Sequence, residues 1–349
     1  MNQIYNLIDR LRDNRTLSAE EYIRLITCTD ADALEYLRST ADAVRKSVYG
    51  NAVYIRGLVE FTNYCRNDCL YCGIRRSARG TERFRLTAEQ IMDCAREGYA
   101  LGFRTIVLQG GEDPYFTEER MTEIVKSLRA AFPDCAITLS IGERSRKSYE
   151  TLFAAGANRF LLRHETADAL HYSRLHPAEL TLDNRMRCLR DLKEIGYQVG
   201  CGFMVGSPFQ TAENIAADLR FIETFQPHMV GIGPFIPHCD TPFRDKAAGT
   251  AEDTIKLLSI VRLILPHVLL PATTALGTIS PNGRERGIQA GANVIMPNLS
   301  PADARKKYML YNNKLSSGDE AAENLAHLKQ SMAAIGYEIV TARGDWKAQ

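Results

Sequence analysis

The spacing of apolar positions changes near residue 50. Before it, Ile4, Leu7, Ile8 and Leu11 fall on one helical face, the three-and-four repeat of an amphipathic helix. Ser18 with Glu21 reads as a capping box opening a second helix, and Asp30 as the cap of a third that runs to about Val48. From Val53 onward, compact apolar runs alternate with helical patterns. The runs lie at 53–61, 105–109, 136–141, 158–163, 197–205, 228–235, 268–274 and 292–296. The helical patterns lie near 87–101, 117–132, 147–155, 181–195, 211–225, 252–265 and 284–290, with a last one at 321–335. Strands alternating with crossover helices predict a parallel sheet. Eight such units predict an α/β fold, a complete (β/α)8 TIM-type barrel, with an N-terminal helical extension over 1–50. No composition break or Pro/Ser-rich linker divides 51–349, which reads as one catalytic unit.

Composition narrows the classes. The chain has 349 residues, 45% hydrophobic and 24% charged, enough to bury a core without staples. Its net charge of +1 gives no reason to expect a nucleic-acid or anionic-membrane partner. No stretch approaches the roughly 20 apolar residues that span a bilayer. The segment Met1 to Arg15 is charged throughout and lacks the apolar core of a signal peptide. One basic stretch, Arg75, Arg76, Arg79, Arg83 and Arg85, reads as a solvated face, with a docking surface or substrate gate as alternatives.

The chemistry concentrates after the first run, where Cys65, Cys69 and Cys72 stand in a Cys-x3-Cys-x2-Cys spacing. Cysteine thiolates are the usual ligands of iron–sulfur clusters, and three of them hold three corners of a cubane. A structural zinc site would need a fourth ligand nearby, and the next thiol, Cys94, lies within a helical pattern. An odd count of 9 cysteines argues against a disulfide framework. Reduced thiols and an oxygen-sensitive cluster both point to the cytoplasm. Cys94, Cys135, Cys188, Cys201 and Cys239 read as buried small hydrophobes.

Barrels of this kind carry their active sites at the C-terminal ends of the strands, and polar or glycine-rich residues follow the runs. Gly110-Gly111-Glu112 taken alone is a common turn. Ser140 and Glu143 flank a glycine and suit a ribose or an ammonium group, with a helix cap as the plain reading of Ser140. In Arg163-His164-Glu165, Glu165 could accept from ribose or ammonium and Arg163 could pair with a carboxylate, or the two could simply pair with each other; His164 reads as a structural histidine. Arg185 opens a helix and could reach a carboxylate; Met204 sits on an apolar edge fit to cover an adenine. The Gly231 to His238 stretch, with two prolines, reads as a shaped, rigid loop. Thr273 and Thr274 offer hydroxyls to a small polar substrate, and Met296 reads as core filling.

The cysteine spacing, with the aromatic Tyr71 before the last thiol, resembles the signature of radical S-adenosylmethionine (SAM) enzymes. That resemblance implies a [4Fe–4S] cluster on Cys65, Cys69 and Cys72 whose open iron is chelated by SAM. It implies reductive cleavage to a 5′-deoxyadenosyl radical, the cofactors carrying the chemistry and the protein positioning them. It also turns Gly110-Gly111-Glu112 from a turn into a site for the SAM amino group. The SAM contacts it implies are Tyr71, Gly110, Gly111, Glu112, Ser140, Glu143, Glu165, Arg185, Met204 and Ile236.

Longer strings, 161–166, 230–238, 271–275 and 292–298, are similar to those of the HydE family of [FeFe]-hydrogenase maturases, relatives of biotin synthase and methylornithine synthase. This similarity covers about Val53 to Tyr308. It implies action in assembly of the hydrogenase di-iron subcluster, on a cysteine-bound iron–carbonyl–cyanide complex, with the radical attacking sulfur. Arg163, Thr273 and Thr274 would hold the anionic substrate, and Met296 and Tyr308 would line its cavity. Partners implied are a reductant such as ferredoxin or flavodoxin and the other maturases. Some members carry a second cluster on C-terminal cysteines; the tail from Tyr311 to Gln349 has none, so one cluster is expected. A methylornithine-synthase-like mutase and a cluster carrier that uses no SAM are the competing readings.

Overall fold

Asp30 and the Ser18–Glu21 box cap helices as their side chains allow, each satisfying backbone N–H groups that the first helical turn leaves open. The computed structural model describes residues 2–316 and 322–348. Three helices come first: α1 (Asn2–Asn14), α2 (Ala19–Ile26) and α3 (Ala31–Tyr49). Then follow β1 (Ala52–Ile55), β2 (Gly57–Thr62), α4 (Ala88–Ala100), β3 (Thr105–Gly110), α5 (Glu118–Ala131), β4 (Ala136–Ser140), α6 (Arg146–Ala154) and β5 (Arg159–Leu161). The chain continues through α7 (Ala169–Leu175), α8 (Leu182–Ile195), β6 (Gln198–Cys201), β7 (Met204–Val205), α9 (Ala212–Phe225), β8 (Met229–Val230) and β9 (Gly233–Pro234). The last elements are α10 (Ala251–Ile264), α11 (Thr274–Ile279), α12 (Gly283–Gln289), β10 (Val294–Ile295), α13 (Ala302–Lys307), a 3-10 turn (Ala322–Asn324), α14 (Leu325–Ala334) and β11 (Glu338–Val340).

The strands β2-β3-β4-β5-β6-β8 form one sheet, parallel at every junction. Single parallel bridges carry it around: Met229 to Leu269, Pro271 to Val294, and Asn298 back to Leu58. The barrel is thereby closed, and β2, covered on both faces, is buried along its whole length. Helix α3 packs along α10 and α2 against α9, so Leu7, Ile8, Leu11 and Leu25 share one core with barrel residues such as Val199 and Leu258.

Four of the eight runs are less regular than their apolar patterns predict. The first breaks at Arg56: β1 pairs with β10 and with β11, whereas β2 pairs with β3. The fifth breaks at Gly202 (φ 148°), where a Cβ would lie 2.0 Å from the Gly231 carbonyl oxygen; two chains cross too closely there for any side chain. The sixth is split between β8 and β9, and the seventh is reduced to bridges at Leu269 and Pro271, with Thr274 already in α11. The helix expected from residue 321 begins its regular part at Leu325; residue 321 itself lies outside the described residues. The expectation of Cys239 as a buried hydrophobe is wrong, since it is exposed in the loop after β9, while Cys94, Cys135, Cys188 and Cys201 are buried.

The segment after α14 seals the floor of the barrel. Arg159 is fully buried and donates to Thr105 Oγ1, to the carbonyls of Arg343 and Gly344, and to Asp345 at 2.7 Å. Trp346 packs edge-on against His228.

Candidate active site at the barrel mouth

The cysteine loop leaves β2 and is pinned at its root by Asn63. That side chain donates to the carbonyls of Glu82 and Lys307 and accepts from Phe84 N. The basic stretch does not form a solvated face, because the loop's own carbonyls and carboxylates draw it inward. Arg75 is buried against Asp68 at 2.6 Å, holding that carboxylate well below its usual range. Arg83 donates to the carbonyls of Asn63, Ile74, Arg75 and Ala78. Arg85 grips buried Asp113 and lies over the Tyr64 ring. Only Arg76 and Arg79 conform to the expectation, with Arg85 partly so.

Beneath the loop sits the Gly110-Gly111 turn. A Cβ on Gly111 would lie 2.2 Å from the Tyr64 carbonyl oxygen and 2.8 Å from Cys65 Cβ, so only glycine lets the two segments meet. Cys65, Cys69 and Cys72 are partly exposed and all face one cavity of about 360 Å³ at the C-terminal ends of the strands. Burial first, then the neighbouring thiols, pushes Cys72 up to about 12 and Cys69 well above its usual value. Arg185 near Cys69 and Arg83 near Cys65 and Cys72 only partly offset this, so the trio stays protonated until a metal centre deprotonates it. Among the described residues no three His, Cys, Asp or Glu side chains converge as around a single metal ion. A cubane, which binds each thiolate through a different iron, fits this wider set of donors.

Of the residues singled out from the sequence, Tyr71, Gly110, Gly111, Glu112, Ser140, Glu165, Arg185, Met204, Ile236, Arg163, Thr273, Thr274, Met296 and Tyr308 line the same cavity. Glu143 does not. Its carboxylate is turned back to hold Arg185 Nε and Asn184 Nδ2, each at 2.5 Å, so it supports Arg185 rather than facing the cavity. Glu112 accepts from Glu143 N and pairs with Arg66 at 2.9 Å. His164 is fully buried, 3.4 Å from Asp218, as a structural histidine should be.

Several polar atoms of the lining are left over. Arg163 and Glu165 pair at 3.2 Å, yet Arg163 Nε and Nη2 and Glu165 Oε2 are buried without a hydrogen-bond partner. So is Thr273 Oγ1. Glu165 also takes φ 66°, a left-handed conformation unfavourable for its side chain. Unpaired buried groups and backbone strain together mark places built for a ligand. On the apolar side, Tyr71 and Leu70 pack with Leu175, Met204, Phe235 and Phe243.

Other lining residues were missed from the sequence. Glu60, fully buried, takes a 2.7 Å bond from Lys314 and a 2.8 Å bond from Asn298. A buried-strand pattern that carries a charge was the available signal for Glu60, shared with Arg56 in the same run; Lys314, in a loop, offered none.

A [4Fe–4S] cluster and SAM meeting at the mouth of a TIM-type barrel define an enzyme class, and residues 59–222 match the model of the radical SAM superfamily. The chain belongs to that superfamily, and within it to the HydE type. It is 44% identical over 303 residues to the [FeFe] hydrogenase maturase subunit HydE of Thermotoga maritima, covering 87% of this chain and 86% of that one. It is 28% identical to 3-methylornithine synthase of Methanosarcina barkeri, over 95% of this chain and 94% of the relative. The crystal structure of methylornithine synthase (PylB) superposes with a TM-score of 0.83 at 27% identity, covering 96% and 97% of the two chains. The protein is therefore a radical SAM enzyme that uses a [4Fe–4S] cluster and SAM.

Proposed function

We propose that the protein is a HydE-type maturase acting in assembly of the [FeFe]-hydrogenase di-iron subcluster, on a cysteine-bound Fe(CO)2(CN) complex. The observation that carries this reading is one cavity lined both by Cys65, Cys69 and Cys72 and by Arg163 and Thr273, each of which keeps a buried polar side-chain atom without a hydrogen-bond partner among the described residues. The 44% identity to a hydrogenase maturase supports it.

In this reading Cys65, Cys69 and Cys72 would hold a single [4Fe–4S] cluster through their thiolates, beside the methionine end of SAM. When bound, the reduced cluster supplies one electron that cleaves SAM to a 5′-deoxyadenosyl radical. The protein's part is to position and to exclude water. Gly110 and Gly111 admit the methionine end, and Glu112, beside them, faces its ammonium. Arg185 turns toward its carboxylate, with Glu143 behind. Glu165 and Ser140 accept from ribose or ammonium, and Tyr71, Met204 and Ile236 flank the adenine. Arg163, Thr273 and Thr274 hold the anionic substrate against Met296 and Tyr308.

Residues 1–50 serve as an extension and 51–349 as one catalytic unit. A ferredoxin or flavodoxin supplies the electron, the other maturases are partners, and the setting is the cytoplasm. No described helix is long and apolar enough to cross a membrane. The similarity to 3-methylornithine synthase favours a second reading, an amino-acid mutase.

The test is anaerobic turnover of reconstituted, dithionite-reduced protein with SAM. Adenosylated or 5′-deoxyadenosine product with iron–cysteine complexes upholds the maturase. Turnover of lysine or ornithine derivatives alone makes it a mutase. No cleavage with any substrate rejects both.

A further inference from the structure

Among its contacts outside the barrel strands, the cysteine loop is tied to the short helix α7 and the residue that ends it. Leu70 N donates to the Leu175 carbonyl at 3.0 Å. Next along each chain, the Tyr71 hydroxyl meets His176 Nε2 at 3.1 Å. His176 is 3% exposed and its other ring nitrogen lies 2.9 Å from the Tyr172 carbonyl. A carbonyl only accepts, so Nδ1 carries the proton and Nε2 presents a lone pair to which Tyr71 donates. The imidazole has no freedom to turn, being stacked on the Tyr172 ring at 3.9 Å and 22° while the Tyr71 ring meets it edge-on at 88°.

We propose that His176 is a positioning residue: bonded to Tyr172, it holds the Tyr71 ring and hence the Cys69–Cys72 turn in the pose that receives the adenosyl part of SAM. This rests on the SAM-binding reading of the cavity above. Tyr71 is the one ring between two of the three thiols, and it also lines the apolar shelf of Met204 and Phe235. A ring free to rotate would blur both the shelf and the spacing of the thiols. The hydrogen bond supplies the direction that apolar packing alone lacks.

The test compares His176→Leu, His176→Gln, Tyr71→Phe and the Leu/Phe double variant in the full chain. Amide exchange across residues 68–73 is read before cluster loading, then SAM affinity and the electron paramagnetic resonance spectrum of the reduced cluster with SAM. His176→Leu and Tyr71→Phe should each speed exchange and weaken SAM by about 3- to 10-fold, the worth of one hydrogen bond. The double variant should be no worse than either single one, and His176→Gln, which keeps an acceptor, should recover most of the loss. Wild-type exchange and affinity in Tyr71→Phe, or effects that multiply in the double variant, would overturn the proposal. Tyr71→Phe removes a single oxygen, so it decides the matter even where His176→Leu fails to fold. Should the reconstituted wild type bind no SAM, the functional reading fails, and the exchange coupling alone upholds or overturns the hold of His176 on the loop.

Discussion

Arg159 and Arg163 stand four residues apart, one at each end of the fourth apolar run. At the floor, Arg159 is enclosed by the C-terminal segment and donates through both terminal nitrogens to two of its carbonyls, to Asp345 and to Thr105, with only Nε left buried without a partner. At the mouth, the Arg163 side chain has Glu165, at 3.2 Å, as its one ion-pair partner among the described residues, and its Nε and Nη2 are buried without a hydrogen-bond partner. The same side chain is thus a rivet at one end and an open hand at the other. Bonds completed within the chain contribute to folding; bonds left open are available to a ligand. Mouth variants should therefore lose binding while keeping stability, and floor variants the reverse.

The largest expected effect is at the mouth. Cys69→Ser should abolish [4Fe–4S] loading, read as iron content and visible absorbance, while the thermal midpoint before loading stays near wild type. A large drop in that midpoint would mean the loop is structural. At the floor, Arg159→Met strands several carbonyls and should cost about 3 kcal/mol of unfolding free energy. SAM affinity should stay unchanged, and a parallel loss would dissolve the contrast.

Glu165→Gln should weaken SAM by about tenfold or more, the loss of a charge-assisted bond, with little change in denaturant midpoint. Acid adds a test spanning both ends. Burial, then Arg185, pushes the pKa of His176 down to about 3, and burial also lowers His228 beside Trp346. Unfolded histidine takes up a proton below about pH 6.5. The stability from these neutral rings is therefore present above that pH and falls by up to about 1.4 kcal/mol per unit per histidine as the pH drops. For His176 the loss continues down to a pH of about 3. Urea midpoints from about pH 7 to about pH 5 should show a shallower slope in His176→Gln. The smallest effect is Thr273→Val, which removes a buried hydroxyl without a partner. It should leave stability equal or raise it by up to about 1 kcal/mol, while weakening the anionic substrate.

The order of strands and helices was legible because most of the longer helices open on a side-chain cap and carry apolar positions at helical spacing. Thr87, Thr117, Ser145, Thr181, Thr211 and Thr250 all cap helices from the positions their sequence allows. The helices α7, α11 and α13, of six or seven residues, leave too few turns for a stripe to register and were not foreseen, whereas the equally short α12 matches the pattern expected near 284–290. The candidate site was legible where one motif held several functions together, as in the cysteine loop. It was not where a side chain changes allegiance through space: Glu143 turns to Arg185, and the arginines after Cys72 turn inward to their own loop. Local spacing carries no sign of such partners. His176 lay hidden for the same reason, 105 residues from the tyrosine it meets.

The sealed floor has a consequence for the timing of synthesis. Thr105 donates to the carbonyl of Arg343, 238 residues further on, and Val53 pairs with Ile339. A ribosome adding about 5–20 residues per second needs on the order of ten to fifty seconds to deliver that partner. Throughout this interval Cys65, Cys69 and Cys72 have already emerged on an unfinished barrel, so their protection from oxygen and stray metals must come from the cell before it can come from the fold.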